Sequence, residues 1–349
     1  MEWVRGETIG CGSTSTVSLA MPKRGSDRCM AVKSCSAWDS ALVVNEKVVL
    51  NELGSCPHII KSFGGSCSVE NGERFYNLLL EYAPGGSLAN RVTGGCLPES
   101  DVKRYTRAIL KGLSHIHAKG FVHCDIKLHN LLLSNNGEVK IADFGLAKRV
   151  GEKQSKEKQR RPEIRGTPLY MSPESVNENE YETPGDIWAL GCSVVEMITG
   201  KPAWNCKPET NVAALLIRIG VGDELPTIPQ DMSEHGKDFL SKCFVKDPRK
   251  RWTAEMLLDH PFVSTTTRSN ESSVTLKGHQ QSLPSSPRGH FDFPDCFWDQ
   301  PSPTGSESCS GAVEESRFEW SVAPEERVQR LASDEKCKWS DSESWVCVR

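Results

Sequence analysis

The pattern of apolar and polar positions changes character along this chain. Apolar runs at Val4 to Cys11, Thr16 to Met21, Cys29 to Ser34 and Tyr76 to Tyr82 are short and bounded by Gly, Pro and Asn, and they predict strands. One segment among them reads differently: in Leu42 to Leu53 the residues Leu42, Val49 and Leu53 share a helical face, with Glu46 on the same side. From Glu99 the helical period takes over, with Val102, Tyr105, Ile109, Leu113 and Ile116 at three- and four-residue spacing. A second helix is predicted over Pro184 to Ile198, and weaker ones over Asn211 to Ile219, His235 to Cys243 and Thr253 to Leu258. A β-rich lobe leading into a helical lobe is an α+β arrangement. No internal repeat interrupts it.

The pattern stops at Pro261-Phe262-Val263. From Ser264 to Arg349 there are 17 Ser, 9 Lys/Arg and 14 Asp/Glu, a net charge of −5, which leaves about +1 on the preceding part of a chain whose total is −4. That composition cannot bury enough surface to fold alone, so residues 3–263 read as the folded unit and 264–349 as a Ser-rich, acidic, largely disordered tail. Over the 349 residues, 37% hydrophobic and 25% charged content describes a soluble globular protein, and the net charge offers no case for nucleic acid or an anionic membrane as partner. Ile187 to Thr199 is the best apolar stretch, but it is short and contains Glu196, so it reads as a buried core helix. No secretory signal is visible at Met1-Glu2-Trp3-Val4-Arg5-Gly6. The 14 cysteines are dispersed from Cys11 to Cys347 without a CxxC pair, which predicts reduced thiols, no zinc and a cytoplasmic or nuclear location.

The chemistry is concentrated in His123-Cys124-Asp125-Ile126-Lys127-Leu128-His129-Asn130, followed thirteen residues after Asn130 by Asp143-Phe144-Gly145. That run brings a carboxylate to receive a hydroxyl proton, an ammonium to neutralise a phosphoryl group, and an amide and a second carboxylate for Mg²⁺. Phosphoryl transfer from ATP requires those parts, and protein kinases present them in this order. A single Asp on a loop is ordinarily a turn former; the ordered set is not explained that way. Upstream, Gly10-Cys11-Gly12-Ser13-Thr14-Ser15-Thr16-Val17 resembles a glycine-rich phosphate loop, although Ser15 replaces the third glycine of G-x-G-x-x-G. An ordinary tight hairpin has similar composition. The position between two strands suits a kinase and excludes the strand-to-helix setting of a dinucleotide fold. Ala31-Val32-Lys33 then places a lysine on an apolar strand. Its acidic partner is Glu46, because Glu52 lies about 240° further round the helix.

Together these motifs resemble the eukaryotic protein kinase catalytic domain over about three-quarters of the chain, Trp3 to Val263. The resemblance implies a bilobal fold with a small β-rich N-lobe carrying one regulatory helix and a larger helical C-lobe. It implies ATP and Mg²⁺ as cofactors. Asp125 would be the base, Lys127 would stabilise the transferring group, and Asn130 and Asp143 would share the metal. Lys33, oriented by Glu46, would hold the α- and β-phosphates. Leu78 to Leu88 would be the hinge, with Leu80 as gatekeeper and the backbone from Glu81 to Ala83 against adenine. Ile9, Ala31 and Leu132 complete the nucleotide contacts. Glu174 and Arg251 would form a buried ion pair, and Asp186 would hold the catalytic-loop backbone. Lys127 and Thr167 are similar to the Ser/Thr-specific subclass. The segments at Leu80 to Leu88, Val122 to Lys127 and Gly166 to Glu174 look like a mitogen-activated protein kinase kinase kinase, most similar to a plant group. That likeness implies a MAP kinase kinase as protein substrate; an active kinase of another branch and a scaffold without catalysis are the alternatives.

Cys124 departs from the pattern, since an Arg there ordinarily meets a phosphate on the activation segment. Cysteine cannot form that pair. It reads as a small buried hydrophobe or as a redox site. Between Gly145 and Gly166 the one hydroxyl is Ser155, within the basic run Lys153 to Arg161, so activity is not expected to depend strictly on a phosphate there. The basic run permits a nuclear-import signal or a solvated loop, and we favour the loop. In the tail, Ser286-Pro287 and Ser302-Pro303 are candidate proline-directed phosphorylation sites. Trp298, Trp320, Trp339 and Trp345 are either docking elements for regulators or incidental aromatics.

Overall fold

The computed structural model describes residues 2–12, 14–23, 29–152, 164–205 and 211–264. The basic run with Ser155 and the tail's Ser-Pro and Trp sites lie outside them. The predicted strands appear as β1 (Trp3–Cys11), β2 (Thr16–Pro22), β3 (Met30–Ser36) and β5 (Glu73–Glu81), joined by β4 (Ser62–Glu70) in an antiparallel sheet of order β1-β2-β3-β5-β4. The apolar pattern did not announce β4. Its Gly64, Gly65, Ser66 and Ser68 have little strand preference, and as an edge strand it is held chiefly by its backbone ladder to β5. One polar network ties its strands together: Arg5 donates to Glu70, Ser34 and Asn77, while Asn77 donates to Ser68. Asn77 is fully buried, so these bonds satisfy an amide that would otherwise be costly to enclose.

The one helix of this lobe, α1 (Ala41–Leu53), buries Val43, Glu46, Val49, Leu50 and Leu53. Leu42, expected on that face, is instead 41% exposed. The first turn of α1 overhangs the loop after Asp143 rather than the sheet; a Cβ added at Gly145 would lie 3.5 Å from the Leu42 Cβ.

The second lobe holds α2 (Leu88–Val92), α3 (Glu99–Ala118), α4 (Pro173–Asn177), α5 (Thr183–Thr199), α6 (Val212–Gly220), α7 (Glu234–Cys243) and α8 (Ala254–Leu258). The periodic residues of α3 are buried, including Val102, Ile109, Leu113 and Ile116. Burial of Asp186 to Val195 along α5 explains its nearly continuous apolar sequence. A proline in the first turn starts α5, and Gly200, at φ 69°, ends it in the left-handed conformation. No helix among the described residues is long and apolar enough to cross a membrane.

Two small ladders pack against helices of the second lobe: β6 (Phe121–Val122) pairs with β9 (Lys148–Arg149), and β7 (Leu131–Leu133) pairs with β8 (Val139–Ile141). One apolar cluster runs through both lobes, from Val43, Leu53 and Leu80 to Leu113, Leu131, Phe144 and Trp188. The loop after α1 is stitched to the larger lobe: Ile60 donates its N–H to Ile141 O at 2.9 Å, and Ile141 returns one to His58 O at 2.9 Å. The candidate residues are therefore carried on loops whose two ends are anchored in packed elements.

Candidate active site

Lys33 lies in the middle of β3, opposite Val17 on one neighbour and Leu78 on the other. Its buried Nζ contacts Glu46 Oε2 at 2.5 Å and Asp143 Oδ1 at 2.7 Å. The second oxygen of Glu46 accepts the Phe144 N–H at 3.3 Å, so one carboxylate orients the lysine and fixes the backbone beside Asp143. Glu52, the other acidic residue of α1, faces outward and pairs with Arg149. An ammonium held between two carboxylates is positioned to meet a polyphosphate without being free to wander.

The glycine-rich segment closes β1 onto β2, with Gly10 opposite Val17 and Cys11 opposite Thr16. Gly12 donates its N–H to Ser15 O at 2.7 Å, which makes the tip a tight turn. Ser15, standing where the third glycine was expected, is buried, whereas Cys11 and Thr14 are exposed; Ser13 is not among the described residues. Ala31 and Leu80 belong to the main apolar cluster, and Ile9, Val17, Ala83 and Leu132 pack against it. Those side chains give the cleft between the lobes apolar walls suited to a flat heterocycle. At the hinge, the Glu81 N–H bonds to Lys61 O at 2.8 Å and is committed to the sheet edge. The Glu81 carboxylate reaches Lys140 of β8 at 3.0 Å and so ties the hinge to the larger lobe.

Asp125 is the centre of the second half of the site. Its Oδ1 accepts from the Thr167 hydroxyl at 2.8 Å, and its Oδ2 accepts from Asn130 Nδ2 at 2.9 Å and lies 3.0 Å from Lys127 Nζ. Lys127 also donates to Thr167 Oγ1 at 2.7 Å. Burial pushes the Asp125 carboxyl up, but the Lys127 ammonium and the hydrogen bonds from the Thr167 hydroxyl and Lys127 outweigh it and hold its pKa below the ordinary carboxylate value. Asp125 is thus an anion at neutral pH.

The loop that carries Asp125 is fixed from behind. Asp186, buried on α5, accepts the N–H groups of His123 and Cys124 at 2.9 and 3.0 Å and contacts His117 Nε2 at 2.8 Å. His123 is fully buried, and burial lowers its pKa, so the ring is neutral. Its Nε2–H donates to Ala142 O at 3.1 Å while Nδ1 accepts the Asp125 N–H at 3.2 Å, which sets the tautomer. Ala142 in turn donates to Asn130 O at 2.9 Å. Asp125, Asn130 and Asp143 are therefore brought together by direct bonds through one or two residues. Cys124 (φ 67°) and Asp143 (φ 67°) adopt left-handed backbone, a strain that these bonds sustain.

The Asn130 amide nitrogen is spent on the Asp125 backbone and side-chain oxygens, at 2.8 and 2.9 Å, so its oxygen is the end available for a hard cation. Asp143, whose Oδ1 also meets Lys33, supplies a carboxylate. Among the described residues there is no cluster of three or more His, Cys, Asp or Glu suited to a metal ion. One amide oxygen and one carboxylate fit a divalent ion whose other ligands are phosphates and water.

Beyond the site, Glu174 and Arg251 make a buried two-pronged pair at 2.6 and 3.0 Å. Arg251 also donates to Val245 O and Pro184 O. Gly166, at φ 93°, lets the returning segment touch the catalytic loop: a Cβ there would meet Cys124 O at 2.5 Å. Tyr170 donates its hydroxyl to Glu196. The sequence reading left Asn45, His117 and the bridging role of Thr167 unassigned. Asn45 carried one visible signal, an amide that directly follows the apolar Ala41 to Val44 and precedes Glu46.

Residues 3–263 match the family model described as protein kinase domain. The chain is 52% identical to mitogen-activated protein kinase kinase kinase 20 of Arabidopsis thaliana over 358 aligned positions that take in 100% of both chains. It is 39% identical to mitogen-activated protein kinase kinase kinase 18 of the same plant, over 100% of this chain and 99% of that one. Mitogen-activated protein kinase kinase kinase 17 is 43% identical over 76% of this chain and 70% of its own length. With the lysine, the paired loops and the buried anchors arranged as described, the chain belongs to the protein kinase family, among the serine/threonine kinases related to plant mitogen-activated protein kinase kinase kinases.

Proposed function

We propose that this kinase transfers the γ-phosphoryl group of ATP to a Ser or Thr hydroxyl of a MAP kinase kinase, with Mg²⁺ as the metal. The observation that carries the reading is Asp125, kept anionic in a buried setting and joined to Lys127 by both a direct contact and the Thr167 hydroxyl. In this arrangement Asp125 accepts the substrate hydroxyl proton, and Lys127 offsets charge on the group being transferred. Lys33 holds the remaining phosphates, kept in place by Glu46. Asn130 and Asp143 hold the metal, which neutralises phosphate charge when bound. Its choice of a MAP kinase kinase follows from the names of its relatives.

The test is phosphate transfer from radiolabelled ATP to a panel of catalytically dead MAP kinase kinases. Wild type should label at least one member. Asp125→Asn should lower turnover by about 10²–10⁴-fold, as expected for loss of a general base. Lys33→Met should be similarly inactive. A wild-type signal no greater than these variants would favour a scaffold without catalysis. Autophosphorylation without labelling of the panel would place the kinase in another signalling branch.

A further inference from the structure

The stretch that follows Asp143 is gripped from both lobes by side chains outside the nucleotide and metal set. From the smaller lobe, Asn45 Nδ2 donates to Gly145 O and Ala147 O, both at 2.9 Å, with Phe144 O at 3.5 Å. Asn45 adjoins Glu46, whose carboxylate takes the Phe144 N–H. Two consecutive residues of α1 therefore bind acceptors and a donor of the same short stretch. From the larger lobe, Glu182, the residue before α5, accepts the Gly151 N–H through both oxygens, at 3.1 and 3.2 Å. It also pairs with Lys148 of β9 at 2.8 Å, where the lysine side chain is 10% exposed and the Glu182 side chain 34%. Lys148 further donates to Glu152 O at 3.2 Å.

These contacts supply what an activating phosphate would otherwise bring. A phosphate on the segment adds an anion for nearby cations and a tether between elements. Here Lys148 and Arg149, the two cations on β9, already have their anions in Glu182 and Glu52. Cys124 offers no cation; its thiol makes only a 3.7 Å contact to Val122 O. A phosphate arriving at Lys148 would have to displace a carboxylate already bonded there, so the exchange would gain little.

We propose that Asn45 and Glu182 are positioning residues that hold Gly145 to Gly151 in the working arrangement, so that the unphosphorylated chain is already competent. The proposal rests on the kinase reading of the site. Neither side chain touches the reacting atoms; both act through the backbone that presents Asp143 and β9.

The test uses the full chain after exhaustive phosphatase treatment, with loss of phosphate verified by mass spectrometry. Treated wild type should retain at least half of its turnover. Asn45→Leu, of nearly equal volume but without donors, should lower kcat by about tenfold, the scale of losing hydrogen bonds to backbone carbonyls. Glu182→Gln should lower it by about threefold, since a part-exposed ion pair is worth less. The KM for ATP should stay within twofold in both. Hydrogen exchange should quicken at the amides from Gly145 to Gly151 and not in α3 or α5. The exchanged pair Lys148→Glu with Glu182→Lys should recover part of the loss seen for Lys148→Glu alone, because the ion pair returns while the acceptor for the Gly151 N–H does not. Should Asn45→Leu fail to fold, Glu182→Gln and the exchanged pair carry the test, since Glu182 is part exposed. Unchanged kcat in the variants that fold would overturn the proposal. Exchange that quickens evenly through the chain, or collapse of wild-type turnover on phosphatase treatment, would do the same. Absence of any phosphoryl transfer by untreated wild type would instead undo the kinase reading.

Discussion

Thr167 is the residue on which the chemistry of Asp125 most visibly leans. Its hydroxyl donates to Asp125 Oδ1 and accepts from Lys127 Nζ, so it transmits the lysine's charge to the carboxylate. In its proposed role Asp125 acts as an anion, and its pKa is depressed; activity should be full above that pKa and be lost as pH falls through it. Thr167→Val keeps the shape and removes one contact that lowers the pKa. The acid limb of the kcat profile should therefore move to higher pH, and kcat at neutral pH should fall by about tenfold. A limb that stays in place would show that Lys127 sets the carboxylate alone. Asp125 and Lys127 were legible in the sequence because they occur in an ordered motif. The bridge between them was not, because Thr167 comes forty residues later and its aim depends on Gly166 turning the chain against Cys124 O.

At the scale of elements, the buried pair of Glu174 and Arg251 fastens α4, and with it the end of the activation segment, to the start of the run leading into α8. Removing either partner leaves a buried charge uncompensated. Arg251→Met should destabilise the fold by about 3–5 kcal/mol in a denaturant titration. Glu174→Gln should cost less, since Arg251 keeps its bonds to Val245 O and Pro184 O. Equal losses would show that those carbonyl bonds contribute nothing. Helices α3 and α5 were legible because burial imposes a period or a continuous apolar run on sequence. The edge strand β4 was not, because Gly64, Gly65 and Ser66 carry no such mark and the pairing with β5 rests chiefly on backbone. The inward place of Val43 rather than Leu42 was hidden too, since it depends on what lies beneath the first turn of α1.

For the whole molecule, the last of the described residues in the apolar cluster spanning both lobes are Phe262 and Val263, and Arg107 of α3 donates to Val263 O at 3.0 Å. We therefore expect the catalytic unit to close there. A chain ending at Ser264 should melt within about 2 °C of the full chain, a shift below about 1 kcal/mol. It should also keep autophosphorylation within twofold. A larger loss in either would assign the later residues a part in the folded unit. The order of strands in the sheet and the joining of two distant loops around Asp125 depend on long-range closure, which local periodicity does not encode.

The fastening of the helix end at Leu53 makes α1 a lever. His115 contacts Leu53 O at 2.8 Å, and the adjoining loop is bonded to β8, so this end is a fulcrum. Glu46 lies seven residues away, about 10 Å along the axis at the α-helical rise. A tilt of about 10° about Leu53 would thus carry Glu46 nearly 2 Å, enough to part it from Lys33. Force applied to the far end, around the exposed Trp38, gains mechanical advantage over the site, whereas the same force beside Leu53 would barely disturb it.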